Sequence, residues 1–137
     1  MLRCLALIAA VIVIAGCQNY TTGLQQTVDR ADETVAIAAL HSIVQAQRSY
    51  SLSHEGGYAT LAQLSEAGYL DSRFGSDKPL KDYVLTLTVN SGSDAGFSCL
   101  ADPVAGRQGR HFYIDSMSGE IHANAVQPAS AADPAIN

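Results

Sequence analysis

The sequence predicts an α+β fold in which a long N-terminal helix packs on a small antiparallel sheet. Three observations predict it. Apolar residues recur at helical spacing from Leu24 to about Glu55, they alternate with polar residues from Tyr83 to Val89, and a turn-rich hairpin covers residues 110–123. The chain has 137 residues, of which 47% are hydrophobic and 15% are charged, and this balance suits one small globular domain.

The first sixteen residues form the first element. They carry one early positive charge, Arg3, followed by an apolar run from Leu5 to Ala15. That run is too short for a comfortable transmembrane helix, so the segment is typical of an export signal. An uncleaved anchor helix is the alternative.

The residues that end this run resemble the lipobox of bacterial lipoproteins. Ile14, Ala15 and Gly16 place an aliphatic and two small residues before Cys17. Small side chains let an extended backbone enter a peptidase groove, and a thiol can take a thioether-linked diacylglycerol. The resemblance implies cleavage before Cys17, a palmitate-bearing lipid on its sulfur and a cell-membrane location. Gln18 in place of Asp implies, by the enterobacterial sorting pattern, the outer membrane facing the periplasm.

Two helices are predicted after a lipidated tether over residues 17–23. Thr22 and Gln25 form a capping box that starts the long helix, and Gly56 with Gly57 ends it. Thr60 and Gln63 repeat the pattern for a short helix that stops at Gly68. The long helix has a thin apolar stripe, Leu24, Val28, Ala31 and Val35, and then a broader one, Ala36, Ile37, Ala39, Leu40, Ile43 and Val44. Only the second half is expected to pack fully, and the first half is expected to form a stalk or to pair with a partner helix.

Strands follow the helices. Alternation predicts a strand with Tyr83, Leu85, Leu87 and Val89 on one side, a turn-rich link over residues 90–96 and a second strand over 97–101. Residues 110–115 and 120–123 then form a hairpin. Residues 125–137 are rich in Ala and Pro and predict a disordered tail.

The order of these elements is similar to that of type IV pilin and pseudopilin headgroups. Two stretches carry the likeness. Residues 31–70 resemble the C-terminal half of a pilin helix and the loop after it, and residues 109–124 resemble the closing hairpin of pilin-like domains. The resemblance implies a pilin-like domain over residues 24–124. The apolar N-terminal half of a pilin helix is missing, since polar residues follow Cys17. Filament assembly is therefore not carried over.

Charge and cysteine content limit the function classes. The net charge is −5, and loss of Arg3 with the signal leaves seven basic against thirteen acidic residues, or −6. Such a surface repels phosphate, so we predict no nucleic-acid partner; the only basic patch is Arg107, Arg110 and His111. Cys99 is left without a cysteine partner and is expected to be a small buried hydrophobe.

The hairpin carries the candidate metal ligands. Alternation places Phe112, Ile114 and Ile121 inward and leaves His111, Tyr113, Glu120 and His122 on the outer face, where zinc is one hypothesis and a solvated face the other. The sequence around Gly119 predicts one of two structures. One is a calcium-binding loop with oxygen ligands from Asp115, Ser116, Ser118 and Glu120, and the other is a plain hairpin turn. No cofactor and no catalytic site are predicted.

Three functions remain open at this point. The first is a membrane-anchored, non-enzymatic envelope lipoprotein with a pilin-like interaction or structural domain. The second is an accessory component of a type II secretion or type IV pilus system that docks through Asp29 to Glu33. The third is a periplasmic metal-binding protein or enzyme using His111 and His122.

Overall fold

The computed structural model of the chain describes residues 23–136, and these divide between two compact units, residues 1–31 and residues 32–137. The predicted signal, Cys17 and the predicted helix start at Thr22 lie outside the described residues. In the first unit Leu24 and Val28 are about half exposed, and the Gln25 amide donates to Asp29. No helix within residues 23–136 is long and apolar enough to cross a membrane.

The second unit has the predicted α+β arrangement, a long helix packed on an antiparallel sheet. Helix α1 is bounded by Leu2–Ser53, of which residues 23–53 are described. Five residues of its broad apolar stripe are buried and Ile37 is partly buried. Leu40 and Ile43 have no exposed surface and pack in one core with Phe112 and Ile114 of the sheet. The predicted packing of this half of the helix on the sheet is confirmed, and Val44 and Ala39 are buried with it, whereas Leu52 near the helix end is 89% exposed.

The helix ends follow the predicted capping chemistry. Gly56 has a φ of +84° and its N–H donates to the Ser51 carbonyl, which closes the end of α1 two residues before the predicted Glu55. Helix α2 (Leu61–Glu66) has Thr60 as its N-cap, and the reciprocal bonds between Thr60 and Gln63 are both formed at 3.2 and 2.9 Å. Short 3₁₀ turns cover Ser72–Gly75 and Gly92–Asp94.

The sheet has five antiparallel strands in chain order, so that each strand pairs with the next. They are β1 (Tyr83–Asn90), β2 (Gly96–Pro103), β3 (His111–Asp115), β4 (Ile121–Asn124) and β5 (Ala135–Ile136). Exposure alternates strictly along β1, with Val84, Thr86 and Thr88 exposed. The predicted strands are present, and the predicted inward facing of Phe112, Ile114 and Ile121 is confirmed, since all three are buried.

A buried glutamine joins α1 to the chain that precedes α2. Gln47 has no exposed surface, its Nε2 donates to the Ala59 carbonyl at 2.7 Å, and its Oε1 accepts from the Ala59 N–H at 3.0 Å. Both backbone groups of a buried residue are therefore satisfied by one side chain. Position 47 lies within the apolar stripe by helical spacing, and an amide there was not predicted to be inward.

The C-terminal segment is ordered against the sheet, and the prediction of a disordered tail over residues 125–137 is wrong for its described part. β5 pairs with β4, the Ala123 N–H donates to the Pro134 carbonyl, and Ala129 is only 5% exposed. Asp133 accepts from Asn124 at 2.8 Å and from both the N–H and the hydroxyl of Ser130. These long-range contacts order a stretch whose composition alone offers little to bury.

Candidate functional site

The outer face of the sheet carries the histidines that the sequence singled out. His111 of β3 lies beside Asp102 of β2, and its Nδ1 is 2.6 Å from Asp102 Oδ1. Both side chains are about three-quarters buried. A short contact between an imidazole and a carboxylate fixes the ring orientation and leaves the other ring nitrogen, Nε2, as the one that can bind anything else.

His122 was predicted to lie on the solvated outer face, and this prediction is wrong. The C-terminal segment covers it, so that the residue is only 8% exposed, and its Nδ1 contacts the Asp133 carbonyl at 2.7 Å. Because a carbonyl only accepts, Nδ1 carries the proton in this contact. Its Nε2 is buried, and among residues 23–136 it has no hydrogen-bond partner.

Asp115 organises the turn between β3 and β4. Its Oδ1 accepts from the N–H groups of Met117 and Ser118 and from the Ser118 hydroxyl, and its Oδ2 accepts from the Tyr113 hydroxyl at 3.1 Å. Burial raises the pKa of Asp115, but the bonds from Ser118, Tyr113 and Met117 outweigh it and leave that pKa below its usual value. Gly119 takes a φ of +65°. The plain-turn interpretation accounts for all these contacts.

The candidate ligands are not brought together into a metal site. In the described part of the chain, no three His, Cys, Asp or Glu side chains are placed to hold one ion. Tyr113 stands opposite His122 and Asn124 stands opposite His111, so the two histidines are diagonal neighbours on adjacent strands. Glu120 is exposed, and the carboxylate of Asp115 is occupied by the turn. The zinc and calcium hypotheses therefore gain no geometric support.

The predicted basic patch is neutralised by carboxylates. Arg107 pairs with Asp82 at 2.9 Å, and His111 contacts Asp102. Arg110 bonds Glu33 through its backbone N–H, Nε and Nη2, at 2.9 to 3.1 Å. Glu33 was predicted to belong to a docking stretch, and its carboxylate is instead bound by Arg110, the residue just before β3.

A half-open apolar cleft of about 420 Å³ lies between the end of α1 and the β3–β4 turn, and sequence reasoning missed it. Val44, Tyr58 and Phe97 supply apolar wall, and the rings of Tyr58 and Phe97 are 5.2 Å apart. Arg48 stands at the rim, where a Cβ on Gly119 would lie 3.6 Å from its Nη2. These residues come from three stretches of the chain, around positions 44–58, 97 and 115–119, so no local motif signals the cleft.

Cys99 is the buried residue that the sequence predicted. It has no exposed surface, and burial, with the charge of Asp102 second, raises the pKa of its thiol to about 12. A neutral buried thiol is a poor nucleophile, which agrees with a packing role.

The predicted lipidation residues, Ile14 to Cys17, lie outside the described residues, so their geometry adds nothing to the sequence argument. Comparison of the chain with protein-family models, with curated proteins and with solved structures found no match.

Proposed function

We propose that this chain is a membrane-anchored, non-enzymatic lipoprotein of the cell envelope whose pilin-like α+β domain serves as an interaction or structural component. The observation that carries the proposal is the run Ile14, Ala15, Gly16 and Cys17 directly after a short apolar segment with one early positive charge. The helix-then-sheet order supports the second half of the proposal.

Lipid on Cys17 supplies the anchor. A thioether-linked diacylglycerol carries two acyl chains, and acylation of the freed Cys17 amine adds a third. Each buried methylene contributes about 0.8 kcal/mol to membrane partitioning, so two or three chains hold the protein at the bilayer, whereas a single short chain dissociates readily. The domain then works at a fixed membrane face.

Metabolic labelling tests the anchor. Cells expressing the full chain are fed radiolabelled palmitate, and the mature protein is purified and its intact mass measured. We expect label in the protein, loss of residues 1–16 and no label in Cys17→Ala. Cys4→Ala is the matched control, because Cys4 lies in the segment that is removed, and it should label normally. Label that persists in Cys17→Ala, or a mature chain that retains residues 1–16, would contradict the proposal.

An accessory role in a type II secretion or type IV pilus system is the second candidate. The exposed apolar face of Leu24 and Val28 favours it, since about half of each residue's surface is open to solvent. Glu33 is held by Arg110, so docking through the predicted acidic stretch is restricted to Asp29 and its neighbours. Co-purification of tagged chain with pilus or secretion components, lost in Val28→Asp and kept in Gln26→Asp, is the expected result. Equal recovery with both variants would remove this candidate.

A further inference from the structure

Strand β1 is the first edge of the sheet, and its outer edge is open. It pairs only with β2, over all eight residues from Tyr83 to Asn90. The strand contains no charged residue and no proline. Sheet proteins usually protect a long edge with charge, proline, a bulge or a covering segment, because unpaired backbone groups otherwise accept a further strand.

The register shows which backbone groups face outward. The Asp82 carbonyl accepts from the Val104 N–H, on the β2 side. Tyr83 instead bonds through both its N–H and its carbonyl to Leu80, on the outer side. Because successive residues of a strand alternate in hydrogen-bonding direction, Val84 and Thr86 bond to β2, and the outward groups belong to the alternate residues. These are Leu85, Leu87 and Val89.

These outward groups have no hydrogen-bond partner among the described residues. In the structure of residues 23–136, the N–H and carbonyl groups of Leu85, Leu87 and Val89 bond to no other backbone or side-chain group outside the β1–β2 ladder. Both leucine side chains are half-buried and pack against the core, so the strand is held firmly while its edge remains available. This edge is a preformed row of donors and acceptors.

A groove runs along part of this edge and has a second wall. Val84 to Leu87 line one side, and Thr60 to Ala62 with residues 73–78 line the other, around a half-open volume of about 400 Å³. The second wall carries Arg73, Asp77 and Lys78. Arg73 is already paired with Asp71 at 3.0 Å, whereas the Lys78 ammonium has no ion pair or hydrogen bond with any described side chain.

We propose that this groove binds an extended segment of a partner polypeptide as a sixth strand of the sheet. The backbone of the segment exchanges hydrogen bonds with Leu85 and Leu87, and a carboxylate on the segment contacts Lys78. Strand addition of this kind takes its affinity from main-chain bonds and its selectivity from side chains in the flanking wall. The Lys78 ammonium, which has no partner among residues 23–136, offers one contact for a carboxylate of the segment, beside the exposed carboxylate of Asp77 in the same wall.

A second copy of this chain is a poorer occupant. Two β1 edges paired about a twofold axis keep the inner faces of both sheets on the same side. Residues 73–78 of both copies, which line the groove beside β1, would then have to fit around the paired edges, whereas a single added strand meets only one such wall. The groove lies within residues 60–87, so the inference does not depend on how the chain is anchored.

Amide hydrogen exchange tests the proposal on the full chain in detergent micelles. The probe is a blocked heptapeptide of alternating Thr and Val with a central Glu, added to saturation. We expect exchange at the Leu85 and Leu87 amides to slow by roughly tenfold, whereas the Thr86 amide, already bonded to β2, should be unchanged. This alternation is the signature of strand addition.

Two variants and two control peptides complete the experiment. Leu87→Pro removes an outward N–H but no hydrogen bond between β1 and β2, so the variant should fold. The peptide should then no longer slow exchange at the Leu85 amide. Lys78→Glu should weaken binding of the peptide with a central Glu severalfold and strengthen binding of a peptide with a central Lys. Uniform protection, no protection, or equal protection by a peptide with a central Pro would overturn the proposal. Protection that grows with protein concentration in the absence of peptide would overturn it in favour of self-association.

Discussion

Replacement of Gln47 by Met is the sharpest test of how α1 is joined to the rest of the domain. The Gln47 amide satisfies both the N–H and the carbonyl of Ala59, at 3.0 and 2.7 Å, and neither residue is more than 1% exposed. Methionine has a similar length and volume, so Gln47→Met removes the two hydrogen bonds and leaves the space filled. The variant therefore isolates the polar contribution.

The magnitude follows from the two backbone groups left without partners. Each buried, unsatisfied donor or acceptor costs about 1–3 kcal/mol, which gives about 2–6 kcal/mol for the pair. The segment around Ala59 is a short connection next to half-buried residues, so it can shift toward water and recover part of this. We expect a loss of about 2–4 kcal/mol in the free energy of unfolding. In a domain of roughly 100 residues this lowers Tm by at least about 8 °C.

Urea denaturation followed by far-UV circular dichroism measures the change. Gln45→Met is the matched control, because Gln45 lies on the same helix and is exposed, and its effect should be within about 0.5 kcal/mol. Gln47→Glu adds a second test. Burial raises the pKa of a carboxyl, so between the unfolded and folded pKa values the folded state binds more protons, and its stability should fall as pH rises. Equal stability of the two Met variants would refute this account of Gln47.

Further predictions address the ion pair, the thiol and the C-terminal segment. Glu33→Gln should lower the free energy of unfolding by about 1 kcal/mol, because it weakens a bidentate pair with Arg110 that is partly shielded from solvent, and the loss should shrink in high salt in chemical denaturation. Cys99 should resist iodoacetamide in the native chain at pH 8 and react in urea. Because the pKa of its thiol is raised to about 12, the unfolded chain loses that proton first, and stability should fall as pH rises from about 9, as pH-dependent melting would show; rapid native alkylation would contradict this. Deletion of residues 129–136 should expose His122 and speed its modification by diethyl pyrocarbonate relative to His111, and an unchanged rate would argue against the observed cover.

The parts of the fold that depend on local chemistry could be predicted from the sequence. The Thr60 and Gln63 capping box, the Gly56 helix end and the alternation along β1 each involve residues within a few positions of one another. Such interactions do not depend on which elements pack against the segment, so they can be recognised in the sequence alone. The order of the strands could also be predicted, because short connections favour antiparallel pairing of consecutive strands.

The parts that depend on distant contacts could not be predicted. Gln47 becomes a core residue only because Ala59 presents two unsatisfied groups to it. His122 is buried because the C-terminal segment returns to the sheet and places the Asp133 carbonyl against it. Composition gave that segment little to bury, but one carboxylate, Asp133, orders it by accepting from Asn124 and Ser130. A count of apolar residues does not capture stabilisation of this polar kind.

The candidate sites divide in the same way. Outer-face alternation correctly placed His111 beside other polar groups, but it gave no sign that Asp102 would occupy its Nδ1. The cleft at Arg48 joins segments far apart in the chain, and the groove at Lys78 joins three separate segments within residues 60–87, so neither has a contiguous sequence signature. The predicted lipobox is different in kind, because a peptidase that binds an extended substrate recognises consecutive residues, and the resemblance is carried by Cys17 and its three predecessors.

The two edges of the sheet differ in a way that bears on where a partner binds. At one edge the described part of β5 is two residues long, Ala135 and Ile136, and a strand stretch of that length offers few backbone groups to another chain. At the other edge β1 is eight residues long, uncharged, and anchored from beneath by Leu85 and Leu87. Both edges could pair with a strand of another chain, but only the β5 edge is short enough to limit such pairing. The open β1 edge beside the groove is where we place the partner segment, since a single Lys or Pro in β1 would have hindered pairing there.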